Sequence, residues 1–141
     1  MNDARAAVLD FLSEFWGETK PLSDDADLFD KLGIDGDDAF EFIDRFAAKF
    51  GVEASNYRWY FHHGEEGHNI GGLFFAPPYR RVAHIPITLT TLIEAVESRT
   101  WPIIYPDHDL PKVRWDIRFN LIFAALALGA LALWLWQRFV G

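Results

Sequence analysis

The chain has 141 residues, no cysteine and a formal net charge of −8, and half of it is hydrophobic. This length accommodates one small domain and an appendage, and the hydrophobic content excludes a largely disordered chain. The absence of cysteine excludes disulfides, thiolate catalysis and cysteine-ligated zinc. Residues 1–53 hold fourteen acidic and five basic side chains, a balance of −9, whereas the remainder holds seven and eight. The acidic half argues against nucleic acid as a ligand and favours a protein partner with a basic patch.

Three segments carry apolar side chains at the spacing that is typical of amphipathic helices. The second predicted helix starts at Asp35, a good N-cap with Asp38 three residues later, and it ends at Gly51. Thr88 is predicted to start the third. The three apolar faces consist of Val8, Phe11, Leu12, Phe15 and Trp16; of Ala39, Phe42, Ile43, Phe46, Ala47 and Phe50; and of Leu89, Leu92, Ile93 and Val96.

The segments between these helices are less regular. A polar loop over residues 18–27 is expected to be held to the core by the apolar side chains of Leu28, Phe29, Leu32 and Ile34. In residues 54–86, the stretches "YRWYF" and "YRRVAHIPI" allow a short hairpin. Residues 102–117 begin with "PIIYPDHDLPK", whose three prolines predict a stiff linker.

The last segment predicts a transmembrane helix over residues 118–140. Residues 119–136 contain no charge and would span about 27 Å as a helix, close to the thickness of a bilayer core. Tryptophans lie before this run and at its end, where an aromatic belt is expected. Lys112, Arg114 and Arg118 precede the run, and only Arg138 follows it. The positive-inside rule therefore predicts a single pass with the N-terminal domain in the cytoplasm.

The second predicted helix has an acidic outer side. Asp37, Glu41 and Asp44 recur at helical spacing, with Asp38 beside them and Asp35 at the helix start. Such a face can steer and orient a basic partner, so these five residues are the candidate partner-binding residues. The alternative is a solvated face that contributes only solubility.

The segment "HHGEEGH" gathers His62, His63 and His68 with two glutamates. Imidazole and carboxylate groups can bind a transition metal or transfer protons, so the three histidines are weak metal-site candidates of a metal-dependent enzyme. The spacing matches no zinc motif, and the glycines favour an exposed, solvated loop instead. The main prediction is therefore no metal and no catalytic residue.

The turn and helix in "DLFDKLGIDGDDAFEFIDRFAAKFGVEA", residues 27–54, resemble an acyl carrier protein. The matching positions are Leu32, Gly33, Ile34 and Asp35 in the turn, Glu41 on the recognition helix, and Phe50 with Gly51 at its close. The resemblance implies a mostly α fold, a small helical bundle over residues 1–101 with an insertion at 55–84. It is closest to an uncharacterised bacterial acyl-carrier-like group with a longer middle segment.

The resemblance fails at the residue that defines a carrier. Where the family has a serine that bears phosphopantetheine, this chain has Gly36, which has no side chain to modify. We therefore expect no cofactor and no enzymatic activity, but a membrane-anchored interaction module linked to lipid or acyl metabolism. The expected location is the bacterial inner membrane. The alternative within the family is a working carrier that is modified at another serine, such as Ser23 or Ser55.

Overall fold

The computed structural model describes residues 2–17 and 22–140, which are mostly helical. Five α-helices follow one another: α1 (Asn2–Trp16), α2 (Leu28–Leu32), α3 (Gly36–Phe50), α4 (Leu89–Ser98) and α5 (Trp115–Phe139). Short 3-10 turns lie between α3 and α4, at Trp59–Phe61, Gly71–Leu73 and Pro78–Arg80. These residues contain no β-strand, although an isolated parallel bridge joins Glu53 to Thr100. The prediction of a mostly helical chain with a long apolar C-terminal helix is confirmed.

The core is built from the apolar faces that the spacing predicted, except that Trp16 of the first face is exposed. Phe42 of α3 is fully buried, and its ring centroid lies 5.2 Å from those of Phe11 and Phe15 on α1. The ring of Phe29 lies 5.3 Å from Phe42 on another side. α4 contributes buried Leu89, Leu92 and Ala95. Aromatic rings at these separations add edge-to-face attraction to the hydrophobic gain of burial.

The segment before α3 is fixed by a short helix that the sequence did not predict. Asp27 caps α2, accepting a hydrogen bond from the Phe29 N–H at 3.1 Å. The Leu28 N–H donates to the Ile87 carbonyl at 2.8 Å, which ties α2 to the chain that enters α4. The predicted apolar anchors are confirmed for Leu28, Phe29 and Ile34, which are buried. Residues 18–21 of the predicted loop lie outside the described ranges.

The predicted hairpin in residues 54–86 is wrong. Around Trp59 the backbone bonds locally, since the N–H groups of His62 and His63 both donate to the Trp59 carbonyl at 2.9 and 3.1 Å. The two stretches meet in a bond from the Ile85 N–H to the Phe61 carbonyl at 2.7 Å, without a ladder. Local turns satisfy the backbone donors that a strand pair would have used.

Helix α5 is long and apolar enough to span a membrane. It has 25 residues, and its most apolar 18-residue window has a mean hydropathy of 2.0 with none of it buried. At about 1.5 Å per residue it is roughly 37 Å long, more than the roughly 30 Å of a bilayer core. The helix begins at Trp115, within the range predicted as linker.

A polar clamp joins the insertion to the start of α5. We define it as Glu65 and Asn69 of the insertion with Arg114, Asp116 and Asn120. The Arg114 guanidinium bonds to the Glu65 carboxylate at 2.7 and 3.1 Å and to Asp116 at 2.6 and 2.9 Å. The Asn69 amide donates to Asp116 at 2.8 Å and accepts from Asn120 at 2.9 Å. The clamp fixes the insertion against α5.

Candidate functional site

A cleft of about 620 Å³ opens at the start of α3. Its walls come from α2 with its cap, the turn that leads into α3, and the insertion. Its polar lining consists of three carboxylates, three histidines and two tyrosines: Asp27, Asp30, Asp35, His62, His63, His84, Tyr60 and Tyr79. The fold thus unites Asp35 with His62 and His63, which the sequence analysis had assigned to separate candidate sites.

Gly36, where the resemblance to acyl carrier proteins would require a serine, has no space for a side chain in the present arrangement of its backbone and the insertion. Its φ angle is +50°, in the left-handed region that L side chains rarely adopt. A Cβ atom built there would lie 2.0 Å from Cγ of Glu66. Gly36 is also buried. A serine at this position would therefore be strained and would overlap a side chain of the insertion.

Asp35 occupies the N-cap position of α3, as predicted. Its side chain makes no capping hydrogen bond, so the predicted capping box with Asp38 does not form. Instead the Asp35 carboxylate accepts a bond from the Gly64 N–H at 2.8 Å and lies 4.0 Å from the His63 ring. The carboxylate is thereby used to hold the insertion over the start of α3.

His62 is buried in a hydrogen-bonded network, contrary to the prediction of a solvated loop. It is 2% exposed. Its Nδ1 lies 2.7 Å from the Ile85 carbonyl, which can only accept, so Nδ1 carries the proton. Its Nε2 then accepts from the Tyr105 hydroxyl at 2.7 Å, and that hydroxyl in turn accepts from the Trp101 indole N–H at 2.9 Å. Both ring nitrogens are occupied, so His62 is a structural histidine.

Burial lowers the pKa of His62 to about 4, because removal from water disfavours the imidazolium. His63 is also buried, and desolvation lowers its pKa as well. The Nδ1 atom of His63 lies 2.8 Å from the Gly64 carbonyl, while its buried Nε2 has no hydrogen-bond partner. The Phe40 ring packs edge-on at 4.9 Å and the Trp59 ring at 5.6 Å. The His63 ring therefore contributes mainly aromatic packing beneath the cleft.

The third histidine of the segment differs from the other two in its exposure to solvent. His68 is exposed, as the solvated-loop interpretation predicted. Within residues 2–17 and 22–140, no three His, Asp or Glu side chains are arranged so that they could hold a metal ion. The one short histidine–carboxylate contact in the cleft wall joins His84 to Asp27 at 2.5 Å.

The five candidate partner-binding residues are all exposed and lie on or next to α3: Asp35, Asp37, Asp38, Glu41 and Asp44. Glu41 forms an exposed ion pair with Arg45 at 3.2 Å, one helical turn away. Phe40 lies among these carboxylates and is 41% exposed. The face therefore combines negative charge with one apolar side chain, a feature that the sequence analysis missed.

Several residues that stabilise the fold could not be identified from the sequence around them. The polar clamp joins residues about fifty positions apart, and the partners of His62 lie 23 and 43 positions away. No protein-family model, curated protein or solved structure matches this chain.

Proposed function

We propose that this chain is a membrane-anchored interaction module that faces the cytoplasm. Its acyl-carrier-like helical domain bears no phosphopantetheine arm, and it acts without a cofactor or a catalytic step. It serves lipid or acyl metabolism at the bacterial inner membrane, to which α5 holds it. Its partner is a protein with a basic patch, not nucleic acid.

The observation that carries this proposal is the exposed acidic face of α3. The opposite face of α3 is buried through Phe42 and Phe46. The carboxylates on the exposed face are therefore available to another molecule. Long-range attraction by such a face raises the rate of encounter with a basic surface and fixes its orientation. The ring of Phe40, which is 41% exposed, offers an apolar contact beside these carboxylates.

The closed position of Gly36 supports a module without an arm. Its left-handed backbone and the overlap with Glu66 leave no room for an attachment residue at the start of α3. Two histidines that line the cleft are already engaged, His63 in aromatic packing and His62 in hydrogen bonds. These contacts favour a docking role over acyl transfer.

Charge reversal on α3 tests the proposal. We expect Asp37→Lys plus Glu41→Lys to weaken partner capture from solubilised membranes by about tenfold or more, because like charges would then face each other. Exposed substitutions of this kind change stability by only about 0.5 kcal/mol, so the melting temperature should hold. Raised salt should weaken capture by the natural chain in the same way, since screening acts on the same attraction.

The matched control is Asp3→Lys plus Asp10→Lys, which changes the net charge equally but lies on α1, where both side chains are exposed. The control should retain the partner that the α3 variant loses. If the α3 variant melts normally and still captures every partner of the natural chain, the acidic face is merely solvated and the docking proposal is wrong.

The proposed topology is tested separately with a reporter that is active only outside the cytoplasm. Fused to the C-terminal end of the chain it should be active, because three basic residues precede the apolar run and one follows it. Fused to the N-terminal end it should be silent. The reverse pattern would place the acidic face outside the cytoplasm.

A further inference from the structure

An uncharged part of the insertion exposes large apolar side chains next to α5. Residues 70–79 contain no charged side chain, and we call the first six of them, residues 70–75, the apolar turn. Leu73 is 79% exposed and Phe74 is 67% exposed, flanked by partly exposed Ile70 and Phe75. Adjacent exposed apolar side chains of this size are typical of surfaces that bind another protein or a membrane.

The apolar turn lies beside the first turns of α5. The ring centroid of Phe74 is 5.0 Å from that of Phe119, and the ring of Phe75 is 6.4 Å from those of Trp115 and Phe119. Phe119 is the first residue of the uncharged run of α5. The apolar turn is therefore continuous with the surface of the helix that is long and apolar enough to enter a bilayer.

The backbone donors of the apolar turn are all used within the chain. Each N–H from Gly71 to Phe75 has an acceptor there, so contact with an apolar phase would leave none of these donors unpaired. Gly71 donates to the Asn120 side chain at 2.6 Å, and Gly72 donates to Asn69. The N–H groups of residues 73–75 donate to the carbonyls of Ile70 and Gly71 at 2.8–3.0 Å.

The apolar turn is held in place by the polar clamp. A Cβ atom on Gly71 would lie 2.0 Å from the backbone oxygen of Asp116, so the turn and α5 touch backbone to backbone. Asp116, 2% exposed, bonds to Asn69 directly before the turn. The position of the exposed side chains relative to α5 is therefore fixed by the fold.

From this geometry we propose that the apolar turn inserts into the bilayer beside α5 and forms a second membrane contact. The inference rests on the proposed anchoring by α5. Exposed Arg81, whose Nε donates to the Ala76 carbonyl at 2.6 Å, and exposed Arg118, over the Trp115 ring at 5.3 Å, then lie where anionic lipid head groups are found. The domain cannot rotate freely about its linker, and the cleft and α3 keep one orientation to the membrane.

Single cysteines test the inference, because the natural chain has none. The full chain carrying Leu73→Cys or Phe74→Cys is labelled with an environment-sensitive fluorophore and reconstituted in phosphatidylcholine–phosphatidylglycerol vesicles. Quenching is measured with spin-labelled phosphatidylcholine and, separately, with aqueous iodide. Leu126→Cys on the uncharged run of α5 is the lipid control, and exposed Ser55→Cys is the aqueous control.

We expect labels at residues 73 and 74 to be quenched by the spin-labelled lipid, and by iodide at least about fivefold more weakly than the label at 55. If residue 126 is quenched by lipid while 73 and 74 respond to iodide like residue 55, the second contact is overturned and the anchoring stands. If residue 126 is not quenched by lipid, the anchoring itself fails. Labels at 73 and 74 that neither quencher reaches would mean that protein, such as a second copy, covers the turn, which also overturns the inference.

Discussion

Lowering the pH from 6.5 to 4 is expected to reduce the free energy of unfolding by about 3 kcal/mol, because His62 resists protonation in the native state. Its pKa is lowered to about 4 by burial, against an ordinary value of 6.5. Above pH 6.5 the imidazole is neutral in both states. Below that pH the unfolded chain binds a proton that the native chain excludes, so stability falls until the native pKa is reached. Buried His63 acts in the same direction, since its pKa is also lowered.

Urea denaturation at several pH values, together with NMR titration of the imidazole signals, measures this effect. The His62 signal should not titrate near pH 6.5, and the stability should already fall at pH 5.5, above the range in which carboxylates protonate. His68→Gln, at an exposed histidine, is the matched control, whereas His62→Gln should reduce the slope to the part that His63 supplies. A His62 signal that titrates at its ordinary pKa would contradict the buried network.

The helices could be predicted because their information is local. Phe42, Phe46 and the other core residues of α3 recur every three to four positions, and Gly51, with φ of +62°, ends the helix as predicted. The same holds for α4, where the Thr88 hydroxyl accepts from the Thr91 N–H at 3.1 Å. At the end of α3 and the start of α4 the side-chain pattern and the caps agree, so the sequence alone indicates these boundaries.

The candidate site could not be predicted in the same way because its partners are distant in the chain. Glycines and charges around His62 indicate exposure, yet Tyr105 and Ile85 enclose its ring. Asp35 is a residue type that commonly caps helices, but its carboxylate instead accepts a hydrogen bond from the Gly64 N–H of the insertion. Contacts with the insertion therefore give Asp35 a different role from the one that its local sequence predicts, and contacts with distant residues do the same for His62. Such contacts are not evident from any single segment of the sequence.

The polar residues at the start of α5 could not be assigned a role from the sequence for the same reason. The uncharged run of α5 is evident from composition, whereas Asp116 and Asn120, polar residues at its start, show their role only through Asn69. Buried or lipid-facing polar groups require partners, and the insertion supplies them. The insertion is therefore the part of the chain that connects the cleft, α3 and α5.

Gly36→Ser, which introduces the serine that an acyl carrier protein would have here, is expected to destabilise the domain by about 2–3 kcal/mol and to create no carrier. Part of the cost is the left-handed φ of +50°, and part is the overlap with Glu66. The two parts can be separated, since Gly33 has φ of +67° and nothing within 4 Å of a built Cβ. Gly33→Ser should therefore cost only the backbone term, about 1 kcal/mol.

A double-mutant cycle then isolates the overlap. Adding Glu66→Ala removes the Cγ and Cδ atoms that a side chain at Gly36 would meet, so it should restore about 1 kcal/mol in the Gly36→Ser background and little in the natural chain. In parallel, co-expression with a broad-specificity phosphopantetheinyl transferase should leave the intact mass of the natural chain and of Gly36→Ser unchanged. An arm on Gly36→Ser would show that the insertion does not close this position. An arm on the natural chain would instead identify a carrier that uses another serine, to be sought first at Ser23 and Ser55, because both are exposed.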